Sequence, residues 1–533
     1  MPGFGLILLV IMKKPVLRSI LVFLVLSSPF LSFGQDAENS FRSYDRLYLE
    51  NSWLSSGNSA GYVFNSFIPD GVFTLNTDFQ KSNLNLSQSS PEEIEFSFFS
   101  RKTIRLDNIV FDGGVNYLNQ QQKSVGWTAR MNPRTNNPYM LADSLHGLYS
   151  KDYVNLFGSF GYAMTDRIFM GINVDYLVGD GARIKDPRPV NDLFSLNIYP
   201  SILLNFSGFN IGANMHLLKG REEISYTTIE NSTTYRFFRL FGLGKGAKTI
   251  NSWSYYRNYY HSGLGGELQL DYTLGSVKMF SGLGYLSKKE LAEDGSSKPR
   301  KNDSGDYRET DYYFYSFFRI RRDLIHVARL FTKLSIGEGI EFLQEPYSHE
   351  GITYYRTIAE VSKYSVLDLN PGILYTLVKP YNNYLNKWKL EAGIEMEHLY
   401  NEYLLEADQS ITNFIPSLHY NYAVFHKNNQ WNIRIQLMYK LNLDNELNQL
   451  RPYTAIQELA AWENLIYPDF LIFSANSFTI APGIRYGKEI KLMKEKNSQV
   501  FIDLRGMYKN ASNQAWNENK SLKFLQLKIG ITY

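Results

Sequence analysis

The C-terminal stretch Leu525–Tyr533 constrains the chain more than any other. Leu525, Leu527, Ile529, Ile531 and Tyr533 alternate with Gln526, Lys528, Gly530 and Thr532, and the sequence stops on that aromatic residue. Successive side chains of a strand point to opposite faces, so this stretch has one wholly apolar face and one polar face. The pattern recurs over about the ten residues that a tilted membrane strand needs. Ile168, Met170, Ile172, Val174 and Tyr176 oppose Gly171, Asn173 and Asp175. Ile211, Ala213, Met215 and Leu217 oppose Asn210, Gly212, Asn214 and His216. Leu264, Leu268 and Leu270 oppose Glu267, Gln269 and Asp271, and Ile433, Ile435 and Leu437 oppose Arg434 and Gln436. Residues 312–320 and 326–336 depart from it, being apolar or aromatic on both faces.

Composition separates strands from helices as the membrane-crossing element. The 533 residues include 39 tyrosines and 35 phenylalanines, yet only 20% are charged and mean hydropathy is −0.28. A transmembrane helix needs ~20 mostly apolar residues in a row, and past the N-terminus none is found. A barrel wall alternates its apolar residues with polar lumen residues, so its average hydropathy stays low. Cysteine is absent, which excludes disulfides, cysteine lipidation, thiol catalysis and zinc–thiolate sites. The net charge of +3 is too mild to argue for nucleic acid.

The first 34 residues read as a secretory signal. Lys13, Lys14 and Arg18 precede the apolar run Ile20–Leu26, and Ser32-Phe33-Gly34 places small residues for cleavage before Gln35. Met12 is the better start. Connections then alternate in length, as bacterial barrels require. Counted back from Tyr533, the stretches 488–498, 426–430, 379–387, 321–325, 275–276, 207–208, 165–167 and 101–107 read as short periplasmic turns. Between them 509–520, 440–476, 400–412, 337–363, 287–310, 219–261, 179–193, 119–152 and 81–91 read as external loops. The expected fold is all-β, a transmembrane antiparallel barrel spanning 71–533 with about 18 strands, within two either way. Both termini fall in the periplasm.

Residues 35–70 precede the barrel and contain Trp53, Asn58 and Gly61 among small and aromatic neighbours. They form either a plug in the lumen or a periplasmic tail, and their composition favours the plug. The Tyr48–Tyr62 stretch and the Tyr533 ending resemble an uncharacterised outer-membrane barrel family, a domain of unknown function. The terminal strand is similar to that of outer-membrane barrels generally, which implies that Tyr533 helps the barrel-insertion machinery recognise the chain. Asn58-Ser59-Ala60-Gly61 resembles, loosely, the Asn-Pro-Ala-Gly that opens the long-chain fatty-acid transporter family, where an N-terminal hatch plugs the lumen. Ser59 stands in place of the proline, and the strand count exceeds that family's.

Few motifs suggest chemistry. Gly242-Leu243-Gly244-Lys245-Gly246-Ala247-Lys248-Thr249 has a phosphate-loop outline, but Ala247 replaces a required glycine and no helix follows. It reads as a flexible basic loop. The eight histidines are scattered, without the spacing of a metal or hydrolase site. No catalytic residue, cofactor or metal is assigned, and the chain is expected not to be an enzyme. Aromatic clusters at 255–260, 312–315 and 354–355 read as the interfacial girdle rather than as a stacking platform for a ligand. Residues 452–464 read as a short helix in the largest external loop, either a lid or a packing element.

Lumen charges are the remaining candidates. The inward parity carries Arg434, Lys440, Arg485, Arg505, Lys523 and Lys528 toward the C-terminus, against Glu391, Glu395, Glu267 and Asp271 elsewhere. An open pore would set a transverse field between these walls. A closed lumen would pair the charges with each other or with the plug, and large inward side chains such as Phe157, Phe169, Tyr199 and Phe317 favour closure. The functional expectation is an outer-membrane solute channel or transporter with a partly plugged lumen. The alternative is a non-conducting partner barrel of a larger outer-membrane surface or secretion complex. Expected partners are outer-membrane lipids, the insertion machinery and a protein at the external loops.

Overall fold

A computed structural model describes residues 51–64 and 71–533, apart from 134, 230–234, 253, 296–301, 383–384 and 494–495. The proposed signal 1–34 and the flanks 35–50 and 65–70 lie outside the described residues. Eighteen strands form one antiparallel sheet, in which each strand pairs with its neighbours in the chain. The last strand, Lys520–Thr532, pairs with the first, Val72–Ser82, in the register Val72↔Thr532 to Ser82↔Leu522. Closure removes every edge, which a lipid setting demands because no water is there to satisfy an unpaired backbone group.

Exposure confirms which face is which. On the strand Tyr255–Leu274, Leu264 and Leu268 are 54% and 64% exposed, whereas Glu267 and Gln269 are 6% and 2% exposed. The apolar side chains therefore point out of the barrel and the polar ones into it. That inside-out arrangement suits lipid and is the reverse of a water-soluble fold. The chain is an outer-membrane β-barrel.

Two-residue turns join strands at one end: Asp107-Asn108, Ser207-Gly208, Gly275-Ser276 and Lys427-Asn428. The first of these sits at the end of the expected 101–107 turn, because Glu92–Leu106 stays in register to its last residue. At the other end the expected loops are shorter than the sequence suggested. Strands Ile325–His349 and Ile352–Pro380 run 25 and 29 residues and meet at Glu350-Gly351, both with positive φ (50° and 75°), so nearly all of the expected loop 337–363 is a tall hairpin. Beyond the lipid both faces meet water, so hydrophobic alternation disappears while the hydrogen-bond ladder continues. Alternation alone cannot see such extensions.

Three connections are long and fold into the barrel. Leu141–Ala142, Tyr235–Arg239 and Lys248–Ser252 pair into a small sheet of their own. Its core, including Tyr139, Leu141, Phe237 and Phe241, packs on the inward side chains Ile224, Tyr226, Tyr259, Tyr307, Tyr364 and Tyr403. The third connection holds a helix over 456–473, later in its start and longer than the expected 452–464. Its middle, Trp462–Ile466, is π-helical, and Pro468 follows at the first turn of the last α-helical part. That one-turn widening lets the helix continue past a residue that ordinarily ends one.

The parity predicts the response to charge. Leu527→Arg places a cation against lipid and should cost about 2–4 kcal/mol, as for arginine near the bilayer midplane of other barrels. Gln526→Lys, one residue away on the lumen face beside Asp78, should cost far less. Urea unfolding in lipid vesicles, followed by tryptophan fluorescence, checks the difference.

Candidate functional site in the barrel lumen

Residues 51–64 lie inside the barrel near the short-turn end. Two short 3-10 turns, Ser52–Ser55 and Ser59–Phe64, shape the segment, and the Asn51 side chain accepts from Trp53 N at 3.1 Å. Trp53 is 1% exposed; its indole N–H donates to Asp271 Oδ2 at 2.9 Å and its ring meets Phe280 edge-on at 4.9 Å. Asn58 Nδ2 donates to Gln269 Oε1 at 2.9 Å and to the Ile202 carbonyl at 3.2 Å. Ala60 N donates to Ser201 Oγ at 3.3 Å, and Arg105 donates to the Val63 carbonyl at 2.7 Å.

The wall is shaped to receive this segment. A Cβ on Gly171 would lie 2.4 Å from Ala60 N, one on Gly212 2.6 Å from Trp53 Cζ3, and one on Gly161 2.7 Å from Ser59 O. Within the segment, a Cβ on Gly61 would lie 2.5 Å from Trp53. Close approach, not backbone freedom, requires glycine at these positions. Burial of an aromatic side chain as large as Trp53 contributes roughly 4–6 kcal/mol before ordering costs. Trp53, Asn58 and Gly61, the three candidates from the sequence, thus come together in one seat.

The lumen charges are mostly engaged. Asp271 also faces Lys278 at 3.0 Å, and Glu267 accepts from the Tyr315 and Tyr313 hydroxyls. Glu391 accepts from Thr376 Oγ1 at 2.9 Å and pairs with Lys389 at 2.9 Å, while Glu395 beside it remains exposed. Across the barrel from the segment, Arg434 pairs with Asp503 and the Arg485 guanidinium lies 3.6 Å over the Phe501 ring. The register sets Lys528 opposite Asp503 and Arg505 opposite Gln526, which completes a basic patch on four adjacent strands. Lys440 has a different role: its ammonium donates to the Phe473 and Ile472 carbonyls at 2.7 and 3.2 Å and holds the C-terminal end of the loop helix. Lys523 does not belong with them. It shares the outward face of Leu525 and Leu527, one residue out of phase with Lys528.

The folded loops are pinned by buried ion pairs that the sequence did not suggest. Arg183, from a strand end, donates to Asp143 Oδ2 at 2.7 Å, and both side chains are at most 1% exposed. Arg130 bridges Glu222 and Glu290, and Arg257, held by Asp294 on the neighbouring strand, donates to the loop carbonyl of Tyr139 at 3.3 Å. Buried charges persist only when paired in this way. The glycine-rich loop is also not the flexible basic loop expected. Lys245 is 1% exposed, donates to the Arg451 and Pro452 carbonyls at 2.8 and 3.1 Å, and lies 3.9 Å over the Tyr453 ring. Gly246 N donates to Glu458 at 2.7 Å, so this loop anchors the helix 456–473. The aromatic cluster 255–260 likewise divides. Tyr259 is fully buried under the folded loops and donates to the Tyr139 carbonyl at 3.0 Å, whereas Tyr256 and Tyr260 face outward.

Beneath the loops lies a cavity of about 1490 Å³. The helix contributes Asp469, Phe470 and Phe473 to its lining. Asp469 Oδ1 accepts from Ser87 N at 2.7 Å, and burial pushes its carboxyl up to about 6 despite that bond. Among the described residues, no cluster of acidic and histidine side chains is placed to hold a metal ion.

Comparison with known proteins gives a family and a remote likeness. A model for a family of unknown function, DUF6850, matches residues 59–533. No curated protein matches. Among solved structures, the ferric preacinetobactin receptor BauA of Acinetobacter baumannii is 8% identical, with 87% of this chain and 80% of that chain covered and a TM-score of 0.39. The outer membrane transporter YddB of Escherichia coli is 9% identical, with 88% and 81% covered and a TM-score of 0.38. The FrpB iron transporter of Neisseria meningitidis is 9% identical, with 89% and 83% covered and a TM-score of 0.39. At this distance nothing about cargo or partners carries across.

Two outcomes test the loop anchors. Asp143→Asn leaves Arg183 buried without its counter-charge and should destabilise the loop 126–146 by about 3–5 kcal/mol. Hydrogen exchange should then rise in that loop while the barrel strands stay protected. Asp469, with its carboxyl raised to about 6, binds a proton in the folded state more readily than in an opened one. Stability of the helix 456–473 should therefore fall as pH rises from about 4 to 6, and the protection factors of its amides, with the intrinsic pH dependence of exchange divided out, should be several-fold lower at pH 7 than at pH 5. Asp469→Asn should abolish that dependence.

Proposed function

Because the chain belongs to DUF6850, a family of unknown function, we propose a role for it from the geometry of its own lumen. The protein passes a solute across the outer membrane. Residues 51–64 are the plug, and the described residues of the connections 126–146, 228–254 and 450–475 cover the opposite mouth. The short turns face the periplasm, both termini lie there, and the long connections face outward, as in other bacterial barrels. The observation that carries this reading is the seat: Trp53 bonded to Asp271 and Asn58 bonded to Gln269, against a wall cleared of side chains at Gly161, Gly171 and Gly212. A barrel that served only as an anchor has no need of such a fitted segment. The segment is held by hydrogen bonds and close packing without an ion pair to the wall among the described residues, so its release does not strand a buried charge.

A second reading has its own support in the tall hairpin. Leu343, Tyr347, Ile352, Tyr355 and Ile358 are exposed on it beyond the lipid, a surface suited to a protein partner. On that reading the barrel is a non-conducting member of a surface complex.

Planar-bilayer recording separates the two. The transport reading expects small or no currents from the intact protein and at least several-fold larger ones from a Trp53→Ala, Asn58→Ala double variant. No current from that variant, nor after removal of residues 35–64, contradicts transport. Recovery of a stoichiometric partner that dissociates when the hairpin is shortened supports the second reading.

A further inference from the structure

We propose that the lumen cavity is a binding site for a neutral, polyhydroxylated solute, an oligosaccharide; this deepens the transport reading by naming its cargo class. Three features of the lining carry it. The first is its amide content: thirteen of the lining side chains are Asn or Gln, drawn from many strands and from the loop 126–146. An amide offers both donors and acceptors without charge, which matches a hydroxyl on either count.

The second is the state of the charges. Each cation that lines the cavity is committed to the protein. Arg130 is paired with Glu222 and Glu290, Lys288 with Glu309 and Asp311, and Lys289 with Asp306, while the His261 ring nitrogen Nδ1 lies 2.6 Å from Glu290. The Lys151 ammonium donates to the Met131 carbonyl at 2.7 Å and is buried. An anionic solute therefore finds no cation to meet it. Three lining carboxylates outside these pairs are held differently, by side-chain amides. Glu93 accepts from Gln120 at 2.6 Å and Gln122 at 2.8 Å, Asp368 from Asn370 at 2.6 Å, and Glu397 from Asn413 at 3.4 Å. They stand apart on different strands and do not converge on a point, which argues against a compact cation as ligand.

The third is unmet acceptor capacity. Asn155 Oδ1 and Asn401 Oδ1 are buried in the lining without a hydrogen-bond donor in the protein. Buried acceptors left in this state cost free energy, so a rotation of either side chain that turns its oxygen to the cavity, where a solute can donate to it, is favoured. Hydroxyls do so. Apolar relief is present beside these groups in Tyr153, Phe241, Phe470 and Phe473, which supply surfaces for the C–H faces of sugar rings. The volume of about 1490 Å³ exceeds the roughly 300–1,000 Å³ of a drug-sized site and leaves room for several rings.

Calorimetry on the full-length mature barrel, in a detergent without a sugar headgroup, tests this. Titration with maltohexaose, oligogalacturonate of the same length and spermine compares a neutral, an anionic and a cationic probe. Maltohexaose should bind at least ten-fold more tightly than either charged probe. Asn155→Leu, Asn401→Leu and Glu93→Gln should each weaken it about ten-fold, with the heat-dependent gel shift of a folded barrel retained. Equal or tighter binding of a charged probe overturns the proposal, as does the absence of maltohexaose binding. The outcome is separable from transport. Currents from the plug variant without saccharide binding leave transport standing and remove this cargo, whereas binding without any current removes transport and leaves the site.

Discussion

A backbone inside lipid has no water to bond to, and the architecture of this protein follows from that constraint. Every strand must find a partner on both sides, so the sheet closes, with Lys520–Thr532 against Val72–Ser82. Once closed, the wall offers apolar side chains to one medium and collects its polar ones in the other. Glu267, Gln269 and Asp271 become lumen residues because Leu268 and Leu270 must face out. The chemistry of the interior is thus set by the half of each strand that lipid does not claim.

A polar interior of this width is costly if left dry and open to leakage if left wet. The protein resolves the conflict by filling it unevenly. At the short-turn end the segment 51–64 meets polar wall residues with polar atoms of its own, and at the other end the loops bury Arg183, Arg257 and Arg130 against carboxylates. Such pairs contribute little net stability compared with apolar replacements, yet breaking one is expensive, which makes them effective at fixing where a loop sits. Between the two fillings the amide-lined space remains. On the proposed reading, the segment that must move is held by hydrogen bonds and packing, the loops above it by buried ion pairs, and the wall that must not leak by a continuous ladder.

Legibility in the sequence followed the reach of each interaction. Lipid acts on every second residue, so the strands, their number and the short turns could be read from alternation and from the order of short and long connections. The seat was partly legible as well, since Trp53, Asn58 and Gly61 lie close together in the chain and stand out by type. Its other half was not, because Asn58 and Gln269 are 211 residues apart and no local pattern links them. The same holds for Arg183 and Asp143, 40 residues apart. Strand extensions beyond the lipid were read as loops, since the force that imposes alternation stops at the membrane surface. Tyr259 and Lys523 show how a single step of register changes meaning: one looked like a girdle residue and is core, the other looked like a lumen charge and faces out.

The central claim is that residues 51–64 occupy the lumen in the intact protein. The chain has no cysteine, so a thiol introduced at Ser59, which is 1% exposed, reports on that position alone. Reaction with a membrane-impermeant maleimide should be at least a hundred-fold slower for Ser59→Cys than for Ser348→Cys on the exposed hairpin, and Trp53→Ala should remove most of that protection. Equal labelling rates at the two positions would contradict the account.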